Sequence, residues 1–280
     1  MPFWVIYRFS DLLYLLLYKI GGYRKSIVRK NLINAFPEKS EVERKKIEKL
    51  FYKHLFDILL ESFKGFSMTK EDFLKRQKLI TPNMPQDILD NGSSALILGG
   101  HNGNWEWGGM SASFYANTDV IVLYTPIQNK YIDKFIKKSR TIYQTYFKSS
   151  LLASRIFKEY KNKNATFVLI ADQSPSNPNR AHWLKFLNQD TAFLRGPSSY
   201  AINYNIPILF IEIKRIKRGY YTMSVTTLTE TPQDYSPKEL TSLYAKKLEE
   251  IILEHPEQWL WSHKRWKHSR REEESTKINP

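Results

Sequence analysis

A chain of 280 residues can bury one sizeable hydrophobic core, and a hydrophobic content of 42% is typical of a globular protein. The absence of cysteine excludes a disulfide framework, a thiol nucleophile and cysteine-bound zinc. A net charge of +15 indicates an anionic partner and leaves open nucleic acid, anionic lipid headgroups or an acidic carrier protein.

The first apolar stretch covers residues 3–20, and Arg8, Asp11 and Lys19 would form a narrow polar stripe on it. A membrane-spanning helix needs about twenty apolar residues without interruption, so we expect a helix that lies in the membrane interface. No basic residue precedes the run and no small-residue cleavage site follows it, so we expect no secretory signal. An ordinary buried helix is the alternative, and the basic residues within 24–30 favour the interface.

Two further helices are predicted in the first quarter of the chain. Residues 23–37 (YRKSIVRKNLINAFP) form a short amphipathic pattern that ends at a proline. Ser40 and Glu43 make a capping box at the start of a helix over 40–66. Spacings of three and four residues predict one apolar face on this helix, formed by Ile47, Leu50, Phe51, Leu55, Ile58, Leu59 and Phe63. Glu61 lies beside that face and is given no role.

After a linker at residues 81–85, apolar runs of strand length alternate with helical patterns. The expected strands are 94–99, 120–124, 165–170, 207–213 and 220–227. The expected helices are 105–116, 128–147, 150–161, 191–205 and 236–254. A basic turn at 214–219 joins the last two strands as a hairpin. The pattern predicts an α/β fold with a largely parallel central sheet flanked by helices, preceded by an N-terminal helical membrane-associating segment.

The most informative stretch is residues 95–109, where an apolar run ends in two glycines. His101 follows, and Glu106 comes five residues later, a spacing that fits a strand-to-helix turn and not one face of a helix. A histidine held by a carboxylate is a general base for a hydroxyl nucleophile, because imidazole ordinarily titrates near neutral pH. A hydrogen-bonded loop histidine without a catalytic role is the alternative.

Polar residues follow two other predicted strands. Thr125 follows one of them, and Asp172 and Gln173 follow the other. Since the carboxyl ends of parallel strands meet at one edge of a sheet, we expect His101, Thr125 and Asp172 along this edge. A turn-forming aspartate before a proline is the alternative for Asp172.

Residues 255–267 read HPEQWLWSHKRWK and place three tryptophans among lysines and an arginine. Guanidinium and indole groups together bind anionic headgroups at a lipid boundary, and the same pattern suits stacking on single-stranded nucleic acid. His263 and His268 have no third or fourth ligand nearby in the sequence, so we predict no metal site.

Several blocks, in the same order along the chain, resemble the bacterial lipid A biosynthesis (lauroyl/myristoyl) acyltransferase family of the lysophospholipid acyltransferase superfamily. The most specific are GHNGNWE, of the form His-x4-Glu, and the tryptophan-rich block. The block NQDTAF resembles Bacteroidetes-type members. The blocks occupy residues 23–37, 100–106, 171–175, 188–193 and 255–267.

The resemblance implies that His101 is the general base and that Glu106 orients it, with backbone N–H groups of the glycine-rich turn around the oxyanion. Ser198 stands where the family has an acidic residue, and this departure leaves a different acceptor open. Substrate binding is assigned to Asn104, Arg140, Asp172, Gln173 and Arg195.

We therefore expect a membrane-associated O-acyltransferase without a cofactor or metal, at the cytoplasmic face of the inner membrane. Acyl carrier protein would supply the acyl thioester, a lipid A precursor would supply the hydroxyl, and no nucleic acid would bind. Another lipid acceptor, a coenzyme A donor and a basic nucleic-acid-binding protein remain alternatives. We divide the chain into a helical membrane-associating segment, an acyltransferase core and a solvated tail, at residues 1–80, 81–268 and 269–280.

Overall fold

The N-terminal part of the chain is helical, as predicted. The structure is a computed structural model that describes residues 1–81, 94–116, 118–131, 133–134, 137, 145–160 and 163–270. Its first helices are α1 (Phe3–Leu13), which continues as a π-helix (Tyr14–Ile20), α2 (Lys25–Ala35), α3 (Glu41–Gly65) and α4 (Lys70–Arg76). The Ser40 side chain accepts from the Glu43 N–H and completes the predicted capping box of α3.

Strands and helices alternate in the rest of the chain. The strands are β1 (Gln77–Leu79), β2 (Ala95–Gly99), β3 (Asp119–Tyr124), β4 (Thr145–Ser149), β5 (Ala165–Ile170), β6 (Ala181–Phe186), β7 (Gln189–Leu194), β8 (Ile208–Lys217) and β9 (Tyr220–Thr229). The helices between and after them include α5 (Trp105–Ser111), α6 (Ala153–Tyr160), α7 (Gly196–Tyr204) and α8 (Pro237–Glu254).

Seven of these strands form one central sheet in the order β1-β9-β8-β2-β5-β3-β4. Neighbouring strands are parallel except for the β8/β9 hairpin. β6 and β7 form a separate antiparallel pair. The predicted α/β class with a mostly parallel sheet is confirmed.

The sheet is buried on both faces, as β2 shows. Leu96 and Leu98 belong to a core shared with α2, α3 and α8, whereas Ala95 and Ile97 face the opposite core. This alternation follows from the two-residue period of a strand. Helices on both faces leave the carboxyl edge of the sheet, where β2, β5 and β3 end, as the place for a cleft.

Two predicted helices are wrong over part of their length. The helix expected at 191–205 begins only at Gly196, because the residues before it pair with β6 as strand β7. The end of the helix expected at 128–147 pairs with β3 as β4, and much of its remainder lies outside the described residues. In both places a partner strand overrides the local pattern.

The hairpin turn is shorter than predicted. β8 and β9 extend towards each other, so that only Arg218 and Gly219 lie between them, with Gly219 at φ +73°. The basic residues at this end of the hairpin form ion pairs with α3. Arg215 and Arg218 each form an ion pair with the buried Asp57, at 2.9 and 2.6 Å.

α3 buries only part of the predicted apolar face. Ile47, Phe51 and Ile58 are buried, but Leu50, Leu59 and Phe63 are exposed, and α3 buries several polar and charged side chains: Glu48, His54, Asp57 and Glu61. Its neighbour α1 runs antiparallel to it, since Tyr7 contacts Glu61 and Ser10 contacts Asp57. Over the described residues, none of the helices combines the length and the apolar character needed to cross a membrane.

Candidate active site

The site is built where two neighbouring parallel strands end. Gly99 at the end of β2 pairs with Ile170 at the end of β5, so His101 and Asp172 follow at equivalent positions. The His101 Nδ1 atom lies 2.5 Å from Asp172 Oδ1, and the His101 backbone N–H donates to Asp172 Oδ2 at 2.8 Å. The predicted convergence of these two residues at the carboxyl edge of the sheet is confirmed.

Asp172 is buried, and its second carboxylate oxygen also accepts from Trp259 Nε1 at 2.8 Å. Burial alone would raise the pKa of this carboxyl group. The electrostatic interaction with the His101 side chain and the hydrogen bonds from His101 and Trp259 outweigh burial and lower the pKa to about 2. Asp172 is therefore an ionised carboxylate that faces the imidazole, and it is not the turn-forming aspartate considered as the alternative.

Gln173 occupies the other side of the ring. Its Nε2 atom lies 3.0 Å from His101 Nε2. An amide N–H donor at Nε2 and a carboxylate at Nδ1 favour the neutral tautomer with its proton on Nδ1. The Trp105 ring packs edge-on at 5.2 Å, and 15% of the His101 side chain remains exposed. In this tautomer Nε2 is the unprotonated, basic nitrogen of the ring.

Glu106 does not hold either ring nitrogen, because Asp172 and Gln173 occupy both of them. The Glu106 side chain lies half-buried in the first turn of α5, beside Trp105. The orienting contact predicted for Glu106 is thus made by a carboxylate 71 positions along the chain from His101.

Asn104 is completely buried, which is not the environment expected of a substrate-binding residue. Its Oδ1 accepts from the Trp107 backbone N–H at 3.0 Å and caps α5. Its Nδ2 donates to Glu61 Oε2 at 2.7 Å. Both ends of the amide are used inside the protein, so Asn104 fixes the turn after His101.

Glu61 is a residue for which the sequence predicted no role. It is completely buried and accepts hydrogen bonds from Tyr7, Asn104 and Tyr221 at 2.9, 2.7 and 2.6 Å. Burial raises its pKa, and the negative charge of Asp57 adds to this effect, whereas the three hydrogen bonds oppose it. The carboxyl group connects α1, α3 and β9 to the turn that carries His101. The sequence signal was a glutamate beside an apolar helix face.

The glycines of this turn allow it to pack against the protein itself. Gly103 has φ +57°, and a side chain there would approach the Ile213 carbonyl oxygen to 2.1 Å. A side chain on Gly100 would come within 2.4 Å of Leu248. Close backbone approach was predicted to serve a ligand, but at these two positions it brings the turn against β8 and α8.

The tryptophan-rich block is directed inward, contrary to the prediction of a lipid-facing or base-stacking surface. Trp259, Trp261 and Arg265 are buried, and Arg265 lies 4.6 Å from the Phe193 ring centroid. Two of the three indole rings are thus core side chains, and Trp259 contacts the Asp172 carboxylate. The block cannot present these groups to headgroups or nucleic acid.

The tryptophan-rich block also joins the family block at residues 23–37 to the site. Asn31 on α2 donates to the backbone oxygens of Trp261 and His263 at 2.9 and 3.1 Å, and Arg24 donates to that of Ser262 at 3.0 Å. The His263 ring accepts from the Ser174 backbone N–H at 3.2 Å. The blocks at residues 23–37 and 255–267 therefore support the turn that follows Asp172.

The remaining predicted residues lie apart from the ring or outside the described structure. Arg195 is exposed at the start of α7 and accepts from Ser198 through its backbone oxygen. Ser198 is buried beside Thr241, where an acidic side chain would be costly. Arg140 lies outside the described residues. Among the described residues, no group of three or more His, Asp or Glu side chains is placed to hold a metal ion.

The sequence profile described as "Bacterial lipid A biosynthesis acyltransferase" matches residues 1–268. The chain belongs to this family. It is accordingly an enzyme of lipid A biosynthesis that transfers acyl groups. A search of the curated proteins finds no match. The matched residues include the His101 turn and the tryptophan-rich block.

Proposed function

We propose that this acyltransferase moves a fatty acyl chain from the thioester of acyl carrier protein to a hydroxyl group of a lipid A precursor, with His101 as the general base. The observation that carries the proposal is the 2.5 Å contact between His101 Nδ1 and Asp172 Oδ1. This contact orients a neutral imidazole and leaves Nε2 as its proton-accepting nitrogen.

In the proposed reaction the acceptor hydroxyl takes the place of the Gln173 amide at His101 Nε2. His101 removes the hydroxyl proton as the oxygen attacks the thioester carbonyl, and Asp172 stabilises the imidazolium that forms. The C–S bond then breaks, and the imidazolium returns the proton to the leaving thiolate. The products are an ester and a free thiol, and no acyl-enzyme is formed.

The tetrahedral intermediate carries a negative charge on its former carbonyl oxygen. We assign its stabilisation to backbone N–H groups of the glycine-rich turn, which Asn104 and Glu61 hold in place. Asn104 and Glu61 thereby act as positioning residues. Glu106, half-buried next to this turn, is retained as a second catalytic carboxylate, and Arg140 and Arg195 as candidate contacts to substrate phosphate.

We further propose that the first helix lies in the cytoplasmic interface of the inner membrane. Trp4, Phe9 and Ile20 are 69%, 52% and 80% exposed, whereas Ser10 on the opposite side is buried. Several leucines are exposed in the same segment: Leu12, Leu15, Leu16 and Leu17. Large exposed apolar patches mark interaction surfaces, and membrane-surface helices present such a face to the acyl region.

A mass-spectrometric lipid profile of a deletion strain tests the acceptor and the base together. We expect lipid A to lose one acyl chain, and only the intact protein, not His101→Ala, to restore it. Loss of an acyl group from another lipid would contradict the assignment of a lipid A precursor as the acceptor. Restoration of the acyl chain by a folded His101→Ala protein would contradict the assignment of His101 as the general base.

A further inference from the structure

A groove of about 330 Å³ lies between the first half of α3 and the beginning of the π-helix. Tyr14, Val42 and Leu50 supply its apolar and aromatic surface. Lysines surround this surface: Lys45, Lys46, Lys49 and Lys53. The groove therefore combines an apolar floor with a cationic border.

The lysines are arranged by helix geometry. Lys45, Lys49 and Lys53 follow one another at four-residue intervals, so they project from one side of α3 about 6 Å apart along the axis. The Lys53 ammonium group lies 5.7 Å from the Tyr14 ring centroid. Lys53, at one end of the row, therefore lies beside the π-helix that continues α1, and the other lysines extend from it along α3.

The charge of this row is not neutralised by nearby carboxylates. Glu48, on the same stretch of α3, is buried and paired with Arg29 at 2.9 Å. Glu43 is held by Ser40 in the capping box. Within the described ranges, the lysines of the groove form no ion pair with a carboxylate. An anion that entered the groove would therefore meet four available ammonium groups.

We propose that this groove binds the phosphate of an anionic membrane lipid, with the lysines around the phosphate and an acyl chain against Val42 and Leu50. An apolar floor suits an amphiphile, because a free phosphate would leave Val42, which is 79% exposed, without an apolar partner. Lysine ammonium groups are flexible point charges that accommodate a phosphate without fixed geometry.

The groove is separate from the catalytic cleft. Lys53 is eight residues before Glu61, which contacts the His101 turn, and Lys45 is sixteen residues before it. At 1.5 Å per residue these separations are about 12 and 24 Å along α3. The proposal rests on the proposed membrane association of the first helix, and it adds a lipid site that is distinct from the acceptor site.

Binding of a monomeric short-chain lipid tests the groove without a membrane surface. Dihexanoyl phosphatidylglycerol, below its micelle concentration, is titrated calorimetrically into the full-length wild type and into Lys45→Gln/Lys49→Gln/Lys53→Gln. We expect the dissociation constant to rise roughly 100-fold in the variant, about fivefold per lysine. Dihexanoyl phosphatidylcholine, with no net charge, should bind the wild type far more weakly.

The matched control removes three exposed lysines elsewhere: Lys158→Gln/Lys238→Gln/Lys246→Gln. It loses the same charge and should bind phosphatidylglycerol as the wild type does. Equally weakened phosphatidylglycerol binding in both triple variants would contradict a specific site in the groove, because net charge alone would then explain the binding. Unchanged lipid binding with a raised KM for acyl carrier protein would overturn it in favour of a protein-docking surface.

Acyl transfer in detergent separates this proposal from the proposed function. The groove variant should keep the kcat of the wild type on detergent-dispersed acceptor, because its lysines lie outside the cleft. An inactive wild type in that assay would contradict the proposed function and would leave the lipid titration as an independent result. A groove variant that lost kcat together with lipid binding would place the lysines in the acceptor site and overturn a separate lipid site.

Discussion

The two aromatic-rich ends of the chain have opposite orientations in the fold. Residues 3–20 were predicted to lie in the membrane interface, and residues 255–267 were predicted to bind anionic headgroups or single-stranded nucleic acid, because each segment combines large apolar side chains with basic residues. The first segment exposes Trp4 and Phe9, whereas the second buries Trp259 and Trp261. Similar composition therefore accompanies opposite environments.

The difference lies in where the polar side chains find partners. In the first segment Ser10 donates to the buried Asp57 at 2.6 Å, and Asp11 pairs with Arg218 at 2.7 Å. These contacts turn the polar side of α1 towards the protein and leave its apolar side outward. In the second segment Trp259 donates to Asp172, and its ring is drawn into the core. Buried hydrogen-bond partners, and not apolar content, decide which side faces inward.

The largest effect is expected from Asp172→Asn, which changes the carboxylate that Trp259 and His101 share. The amide would favour the wrong imidazole tautomer and reduce kcat by about 10³- to 10⁴-fold. The ¹⁵N chemical shifts of His101 should report the change of tautomer. Glu106→Gln is the control, and its His101 shifts should match the wild type. A changed tautomer in Glu106→Gln would return the orienting role to Glu106.

The next largest effect is a difference in stability between substitutions in the two segments. Trp261→Ala empties a buried site and should lower the free energy of unfolding by about 3–5 kcal/mol. Trp4→Ala removes an exposed ring, and its effect should stay within about 0.5 kcal/mol. Urea denaturation of both variants measures the contrast. Equal losses would show that α1 is as closely packed as the tryptophan-rich block.

Membrane binding should show the reverse contrast. Trp4→Ser/Phe9→Ser removes two outward apolar side chains, and vesicle affinity should fall at least roughly tenfold, because each buried side chain contributes about 1.5–3 kcal/mol. Leu151→Ser/Leu253→Ser removes two exposed leucines outside the first helix and serves as the control. Sedimentation with phosphatidylethanolamine–phosphatidylglycerol vesicles measures both. Equal binding by the two variants would contradict the interfacial position of α1.

The smallest expected effect is on the pH dependence of stability, and it concerns His263 in the second segment. Burial lowers the pKa of His263 from 6.5 to about 4; Asp172 opposes the shift, and His101 and Arg265 add to it. The unfolded chain then binds a proton that the folded chain excludes, so stability falls as the pH drops from 6.5 towards 4. His263→Gln should reduce this part of the fall in unfolding free energy. Identical pH profiles for wild type and variant would contradict a buried, neutral His263.

The sequence by itself determined the features that depend on residues close along the chain. The capping box of Ser40 and Glu43, the buried strand β2 and the turn that presents His101 all follow from local spacing. The alternation of strands and helices also determined the parallel sheet, and with it the edge at which His101 and Asp172 meet.

Only the tertiary structure decided which side chains are in contact at this edge of the sheet. The sequence favoured Glu106 as the partner of His101 because it is five residues away, but the order of β2 and β5 brings Asp172 to the ring. Glu61 and Trp259 likewise acquire their roles from α3 and from the C-terminal block, which pack against the turn from distant parts of the chain. Local spacing fixes neighbours within a turn or a helix, whereas contacts across strands depend on strand order and burial, which one sequence does not specify.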